Sequence, residues 1–346
     1  MNTMKQIIAI LLLALVALSC KKESPVGPNL VDLYGTFAII DPLSIENPLA
    51  IDFTQGNAQF KGKWSLITNW TLTIKGQNSG AFKIIKGKSN TLDTTLGQWD
   101  GTAEFYLFKK DEECNAILTF DGYPDTLKTN IKIKTPHDFS KDGYIIQDFN
   151  LTSFTATGGG TTTINKTEQI LNVPEGNNYL RIEGTEPGSS WWFGALPSFT
   201  PSSFTGSPKY FPFLNKDTAS LYMNFFVYNY GYLNTKIDIS WNEDDNGDGT
   251  YVGKSNTTDT TKIEDSYMYE LEVSKCTLGW QKISVPLSKF PHAGVWIADK
   301  QHFFGDRKME ISKIVSFDIA FVTTGDKTDK VGCAVDFFII TKGKPL

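Results

Sequence analysis

The chain has 346 residues, with 33 Lys or Arg against 38 Asp or Glu and a formal net charge of −5. The charges are interspersed and form no basic block of the kind that follows a phosphate backbone, so nucleic acid is not expected as a partner. No G-x-S-x-G, H-E-x-x-H or Cys–His motif occurs, and with three histidines in all the sequence carries no legible catalytic signature.

In chain order, Lys5 and the run IIAILLLALVAL lead to LSC at Cys20. A positive start, an apolar stretch too short to span a bilayer and small residues at its end read as a secretory signal peptide over residues 1–20. The ending resembles a bacterial lipobox, which implies lipidation of Cys20 and a membrane contact made through lipid alone. No later stretch approaches the ~20 apolar residues of a membrane helix. Residues 21–30, KKESPVGPNL, read as an extended tether. The chain beyond the tether is longer than one core usually organises, so two domains are expected.

Residues 31–136 give short β-type runs with turn residues between them, among them WTLTIKG, AFKIIKG, CNAILTF and NIKIKT. Their spacing predicts an Ig-like sandwich. The W-x-L-x-I pattern beginning at Trp70 and the WDG turn at Trp99 resemble small bacterial Ig-like modules, which makes both tryptophans packing anchors. The aperiodic KTPHDFSKDGY marks a boundary, and strands resume over residues 137–346 with no helical period, as in a jelly roll. Cys114, Cys276 and Cys333 form neither a disulfide framework nor a zinc spacing, and Cys114 and Cys333, at the starts of apolar runs, are expected to pack as small hydrophobes.

Four segments of the second half, NYLRIEGTEPGSSWWFGAL, WNEDDNGDGTY, LGWQKISVPLSKF and KVGCAVDFFIITKGKPL, resemble the galactose-binding-like jelly rolls of carbohydrate-binding modules. The order of lipobox, Ig-like spacer and terminal jelly roll is similar to surface glycan-binding lipoproteins of polysaccharide-utilising Gram-negative bacteria. The resemblance implies an outer-membrane, lipid-anchored protein, facing the cell surface rather than the periplasm, that binds a polysaccharide or oligosaccharide beside a glycan-uptake complex. The Lys-Lys-Glu after Cys20 departs from the acidic export signal that such surface lipoproteins often carry.

Candidate ligand residues come from alternation. In LYMNFFVYNYG, Leu221, Met223, Phe225 and Val227 form an apolar face, while Asn224, Tyr228 and Tyr230 lie on the other; rings and an amide suit the C–H faces and hydroxyl rims of sugars. The same face would equally serve as a contact with the first domain or lie under a loop. In SSWWFGAL, alternation sends Trp191 inward with Phe193 and leaves Trp192 outward beside Gly194, where a flat ring finds space; a bulge would invert this assignment. Trp296 lies in a loop-like segment and is a second aromatic candidate, whereas Trp280 reads as structural. In DDNGDGTY, Asp244, Asn246 and Asp248 with Gly249 have the opening spacing of an EF-hand calcium loop, yet Ser255 stands where the bidentate Glu belongs, and a plain hairpin tip explains the string equally well.

The expectation is therefore a non-catalytic, all-β glycan binder with calcium as its one candidate cofactor. Two other classes stay open: a glycoside hydrolase or lyase accessory enzyme with a jelly-roll site, whose paired carboxylates sequence spacing cannot reveal, and a protein-binding or assembly lipoprotein.

Overall fold

The computed structural model describes residues 35–46, 50–150, 156–158, 163–168, 172–185, 192–201, 206, 208–213, 220–254, 256–297, 300–323 and 329–346. Cys20, the signal segment, the tether and Trp191 lie outside them. Among the described residues the chain is all strand, with short 3-10 turns and no α-helix.

The first half holds β1 (Ile39–Ile45), β2 (Ile51–Asp52), β3 (Ala58–Gly76), β4 (Phe82–Leu92), β5 (Gln98–Trp99), β6 (Glu113–Phe120) and β7 (Tyr123–Thr135). They form one hydrogen-bonded set ordered β1-β3-β6-β7-β2, with β4 and β5 also on β3. The long strand β3 makes this possible. Its early part pairs with β1, with Phe60 opposite Ile45, and its late part with β6, with Trp70 opposite Phe120. Every second residue of most of β3 is buried, which puts Phe60, Trp64, Trp70, Leu72 and Ile74 into one core with Trp99. Trp70 and Trp99 are packing residues whose indole N–H groups are satisfied, by Ser89 Oγ at 2.8 Å and by the Thr102 carbonyl at 2.8 Å.

The second half holds β8 (Gly143–Gln147), β9 (Thr157–Gly158), β10 (Thr163–Glu168), β11 (Tyr179–Thr185), β12 (Trp192–Ala195), β13 (Leu221–Asn229), β14 (Thr235–Glu243), β15 (Ser266–Glu272), β16 (Gly279–Pro286), β17 (Val295–Ile297), β18 (Lys300–His302), β19 (Ile314–Thr323) and β20 (Lys330–Lys342). A six-stranded sheet, β10-β11-β20-β13-β16 with β8 on β20, faces a five-stranded sheet, β15-β14-β19-β12-β9. All the pairings in both are antiparallel. The core between them takes Met223, Phe225 and Val227 from one side and Ile237, Ile239, Trp241, Phe317, Ile319 and Phe321 from the other. Period-2 burial leaves each sheet a second, outer face, and the two outer faces differ.

The outer face of the six-stranded sheet is covered by the first half. Phe226, Trp280, Ala334, Phe337 and Ile339 form an apolar cluster with Leu107 and Val173, and Phe105, Tyr106 and Phe139 pack against it. Phe105 meets Phe226 edge-on at 5.9 Å. The Leu107 N–H donates to the Pro174 carbonyl at 2.8 Å, and Lys282 Nζ reaches the Glu104 carbonyl at 3.0 Å. The three described cysteines are free thiols, with Cys114 and Cys333 fully buried.

Candidate functional site

The aromatic candidates of β13 belong to the covered face. Asn224 is fully buried, and its amide is engaged all round: Nδ2 donates to the Tyr222 carbonyl at 2.8 Å and to Thr341 Oγ1 at 2.9 Å, while Oδ1 accepts from the Leu346 N–H at 3.0 Å. It is a structural amide rather than a ligand group, because a buried polar side chain must be satisfied where it stands. Tyr228 and Tyr230 are half-buried and pack against the same interdomain cluster. Tyr228 meets Trp280 at 5.4 Å and Tyr230 at 4.7 Å, and the Arg181 guanidinium lies 5.2 Å from the Tyr230 ring. Of the three roles open to this face, contact with the first half of the chain is the one seen here.

The strand holding Trp192 carries the bulge that breaks simple alternation. Trp192 stands opposite Val322 and Gly194 opposite Phe321, so the pairing shifts between them. Phe193 is fully buried, and a Cβ on Gly194 would fall 2.1 Å from Ile182 Cδ1. Two consecutive positions thus face the interior, and the open space expected beside Gly194 is filled by Ile182. Trp296 lies in the β17–β18 hairpin opposite Gln301 rather than in a loop. The side chains of Trp192 and Trp296 are outside the described residues.

The DDNGDG string is a self-closed turn. Asp244 is fully buried, and its Oδ1 accepts from the N–H groups of Gly247 at 2.7 Å and Asp248 at 2.9 Å. Its Oδ2 accepts from Gly249 N–H at 2.6 Å and from the Tyr210 hydroxyl at 2.8 Å. Burial pushes this carboxyl up, but the Tyr210 hydroxyl and the three N–H donors hold it below the usual carboxylate range. Asp248 Oδ1 takes the N–H and hydroxyl of Thr250, and Asn246 Oδ1 takes the Asp248 N–H. The expected calcium set of Asp244, Asn246 and Asp248 is thus engaged in capping backbone donors, as Asx residues do in turns.

The outer face of the five-stranded sheet supplies a different set. In KIDISWNE, Ile237, Ile239 and Trp241 enter the core, which leaves Lys236, Asp238, Ser240 and Asn242 outward; Ser316, Asp318 and Ala320 stand beside them on β19. A polar row crosses three strands and the segment after β12. Ser266 Oγ donates to Asn242 Oδ1 at 2.7 Å, and Asn242 Nδ2 donates to Ser316 Oγ at 2.8 Å and to Asp318 Oδ2 at 2.5 Å. Ser198 Oγ closes the row on Asp318 Oδ1. Asn242, Ser316 and Ser266 are buried, whereas Asp318 is half-buried and Ser198 exposed, so the row reaches the surface at its Asp318–Ser198 end.

Tyr251, from the loop between β14 and β15, is also half-buried, and burial raises its phenol despite a bond with Ser266. At the other end Lys236 pairs with Glu270 at 2.6 Å. Between them Asp238 is 9% exposed, its Oδ1 has no hydrogen-bond partner, and burial with Glu270 close by pushes its carboxyl up to about 6. The hydroxyl of Ser198 and the carboxylates of Asp238 and of Asp318, the latter set by the buried amide beneath it, offer acceptors and a donor that complement a polyhydroxylated ligand's edge. The signal is in the sequence, as polar residues alternating with Ile and Phe, but that pattern is also what an ordinary solvated strand shows.

No protein-family model and no curated protein sequence matches this chain. Among solved structures, the family 11 carbohydrate-binding module from Clostridium thermocellum in complex with a β-1,3-1,4-mixed-linked tetrasaccharide is similar at 16% identity, over 58% of this chain and 96% of that one, with a TM-score of 0.34. The C-terminal family 22 carbohydrate-binding module of Clostridium thermocellum Xyn10B is similar at 13% identity, over 59% and 98%, with a TM-score of 0.30. The N-terminal tandem of family 22 modules from Paenibacillus barcinonensis Xyn10C is similar at 12% identity, over 89% and 93%, with a TM-score of 0.30. Likeness at this level bears on neither ligand nor site.

Proposed function

We propose that this protein is a non-catalytic glycan-binding lipoprotein whose second half takes a polysaccharide or oligosaccharide on the outer face of the five-stranded sheet. The observation that carries the reading is the Ser266–Asn242–Asp318–Ser198 row, a continuous run of oriented sugar-complementary groups on the outer face that the first half leaves free among the described residues. Asp318, half-buried and oriented by the buried Asn242 and by Ser198, accepts at the ligand's hydroxyl edge, and Trp192, in the same sheet opposite Val322, is the proposed stacking residue. The first half is a spacer. The LSC ending supports a lipid anchor at Cys20 in the outer membrane with the sandwich facing outward, next to a glycan-uptake complex.

The test is a glycan array probed with residues 21–346, followed by calorimetry on each hit. Binding that Asn242→Ala and Asp318→Asn each weaken at least tenfold is the expected result. An array with no hits, or hits insensitive to both variants, overturns the reading. Release of reducing ends from a bound glycan would make the protein a hydrolase instead. Protease treatment of intact cells reads the leaflet, since protection from digestion places the protein in the periplasm.

A further inference from the structure

The acidic run around Asp244 divides by alternation. Asp244 turns inward to its own loop, while Glu243 and Asp245 point to a different place, where Asp265 meets them from just ahead of β15. The base of this hairpin is tight: Asn242 pairs with Ser266, and the Glu243 N–H donates to the Asp265 carbonyl at 3.0 Å. One carboxylate oxygen from each of Glu243, Asp245 and Asp265 lies within 4.8 Å of the other two.

The remaining oxygens show how the cluster is held. Glu243 Oε1 accepts from the Glu310 N–H, Asp245 Oδ2 from the Asp265 N–H at 3.0 Å, and Asp265 Oδ1 from His292 Nε2 at 2.8 Å. Each carboxylate is thereby oriented by one oxygen, and the other is left over. Glu243 Oε2, Asp245 Oδ1 and Asp265 Oδ2 are buried and have no hydrogen-bond partner, and the Glu243 and Asp265 side chains are 0% exposed. A Cβ on Gly305 would fall 1.8 Å from Asp265 Oδ1, so a residue without a side chain lets the following loop pass directly over this carboxylate. Lys313, the nearby cation, pairs with Glu310 and not with these oxygens.

Three carboxylates this close, two of them buried and one half-buried, repel one another, and an unpaired buried oxygen carries its full desolvation cost. A divalent cation removes both penalties. The donor set is all oxygen, which suits a hard ion, and ligands at about 2.4 Å on opposite sides of calcium stand about 4.8 Å apart. Magnesium demands a smaller, near-octahedral shell and fits a set this wide less well. The second oxygens, tied to N–H groups and His292, act as the outer layer that aims ligands at a metal. A second acidic trio, Asp245 with Asp306 and Glu310, borders the first and shares Asp245.

We propose that Glu243, Asp245 and Asp265 bind one calcium ion, which clamps the base of the β14–β15 hairpin and the loop through Gly305. The site adjoins Asn242 and Ser266, so it also fixes one end of the polar row, although the ion site itself does not depend on what that row binds.

The experiment uses residues 21–346 stripped with chelator and desalted. Titration with calcium chloride, followed by calorimetry and thermal melting, is expected to show a saturable site and a rise in Tm of about 5–10 °C at a hundredfold excess over Kd. Asp265→Asn and the half-buried Asp245→Asn should each abolish the response. Asp244→Asn, in the self-closed turn, and Asp336→Asn, in the separate buried pair with Glu175, should keep it. If Asp265→Asn does not fold, Asp245→Asn decides. No calcium response in the parent protein, a response that survives Asp245→Asn, loss in Asp336→Asn alone, or an equal response to magnesium each overturns the proposal.

Discussion

The two outer faces of the C-terminal sandwich teach opposite lessons about surface chemistry. The six-stranded sheet turns Phe226, Trp280 and Tyr228 outward, the residues that most resemble a ligand platform, and the first half of the chain covers them. The five-stranded sheet turns Asn242, Ser266 and Asp318 outward, residues that resemble plain solvated positions, and holds them in one hydrogen-bonded row. Large apolar area is stabilised wherever it is removed from water, so an aromatic face is claimed first by the nearest intramolecular partner. Polar groups gain little from such a cover and instead satisfy one another in place.

The largest test of this contrast is Phe226→Ala. It removes a fully buried ring that meets Phe105 across the interface, and a loss of about 3–5 kcal/mol in folding stability is expected. Calorimetry should show it as a large fall in Tm, and a negligible change would mean that the face is open. Next comes Asp318→Asn on the polar face. Removing a charged hydrogen-bond partner should cost about 1.5–3 kcal/mol of glycan affinity, and isothermal titration against the best array hit reads it.

A third test is a slope rather than a step. Glu175 accepts from Asn150 Nδ2 at 2.6 Å, its own N–H donates to the buried Asp336 at 3.0 Å, and burial pushes its carboxyl up to about 7 despite Asn150 and Lys109. A raised folded pKa means that the folded chain holds a proton the unfolded chain has already lost. Its stabilising contribution is therefore complete below about pH 4.5 and declines as pH rises to about 7. One such proton gives at most about 1.4 kcal/mol per pH unit. Denaturant titrations at stepped pH should show the decline, and Glu175→Gln should flatten it. The smallest effect is expected for the exposed Asp248→Ala, which frees one N–H and one hydroxyl of Thr250 and should leave the Tm almost unchanged in a thermal melt.

Much of the fold is legible in period-2 patterning because each strand reports its own faces locally. Alternation assigns Leu221, Met223, Phe225 and Val227 to the core, and all four are fully buried there. The cover on a second face is a long-range fact, and nothing near Tyr228 in the chain announces Leu107 or Phe105. Alternation also fails at a bulge, so Phe193 and Gly194 both turn inward although they are neighbours. The acidic string near Asp244 shows a third limit. Spacing alone groups Asp244, Asn246 and Asp248 as a set, whereas the partnerless oxygens belong to Glu243, Asp245 and Asp265, just ahead of the next strand.

The cluster that joins Leu107 and Val173 to Phe226 and Trp280 also bears on the proposed binding of a long polymer. A module on a loose hinge swings through many directions and gives up that freedom each time it engages, an entropic toll on every encounter. Here the halves are seated on each other through an apolar contact, so the polar row keeps one bearing relative to the first half. Approach to an extended chain then becomes a question of aim set by the fold, and repeated contacts along the same strand start from the same angle.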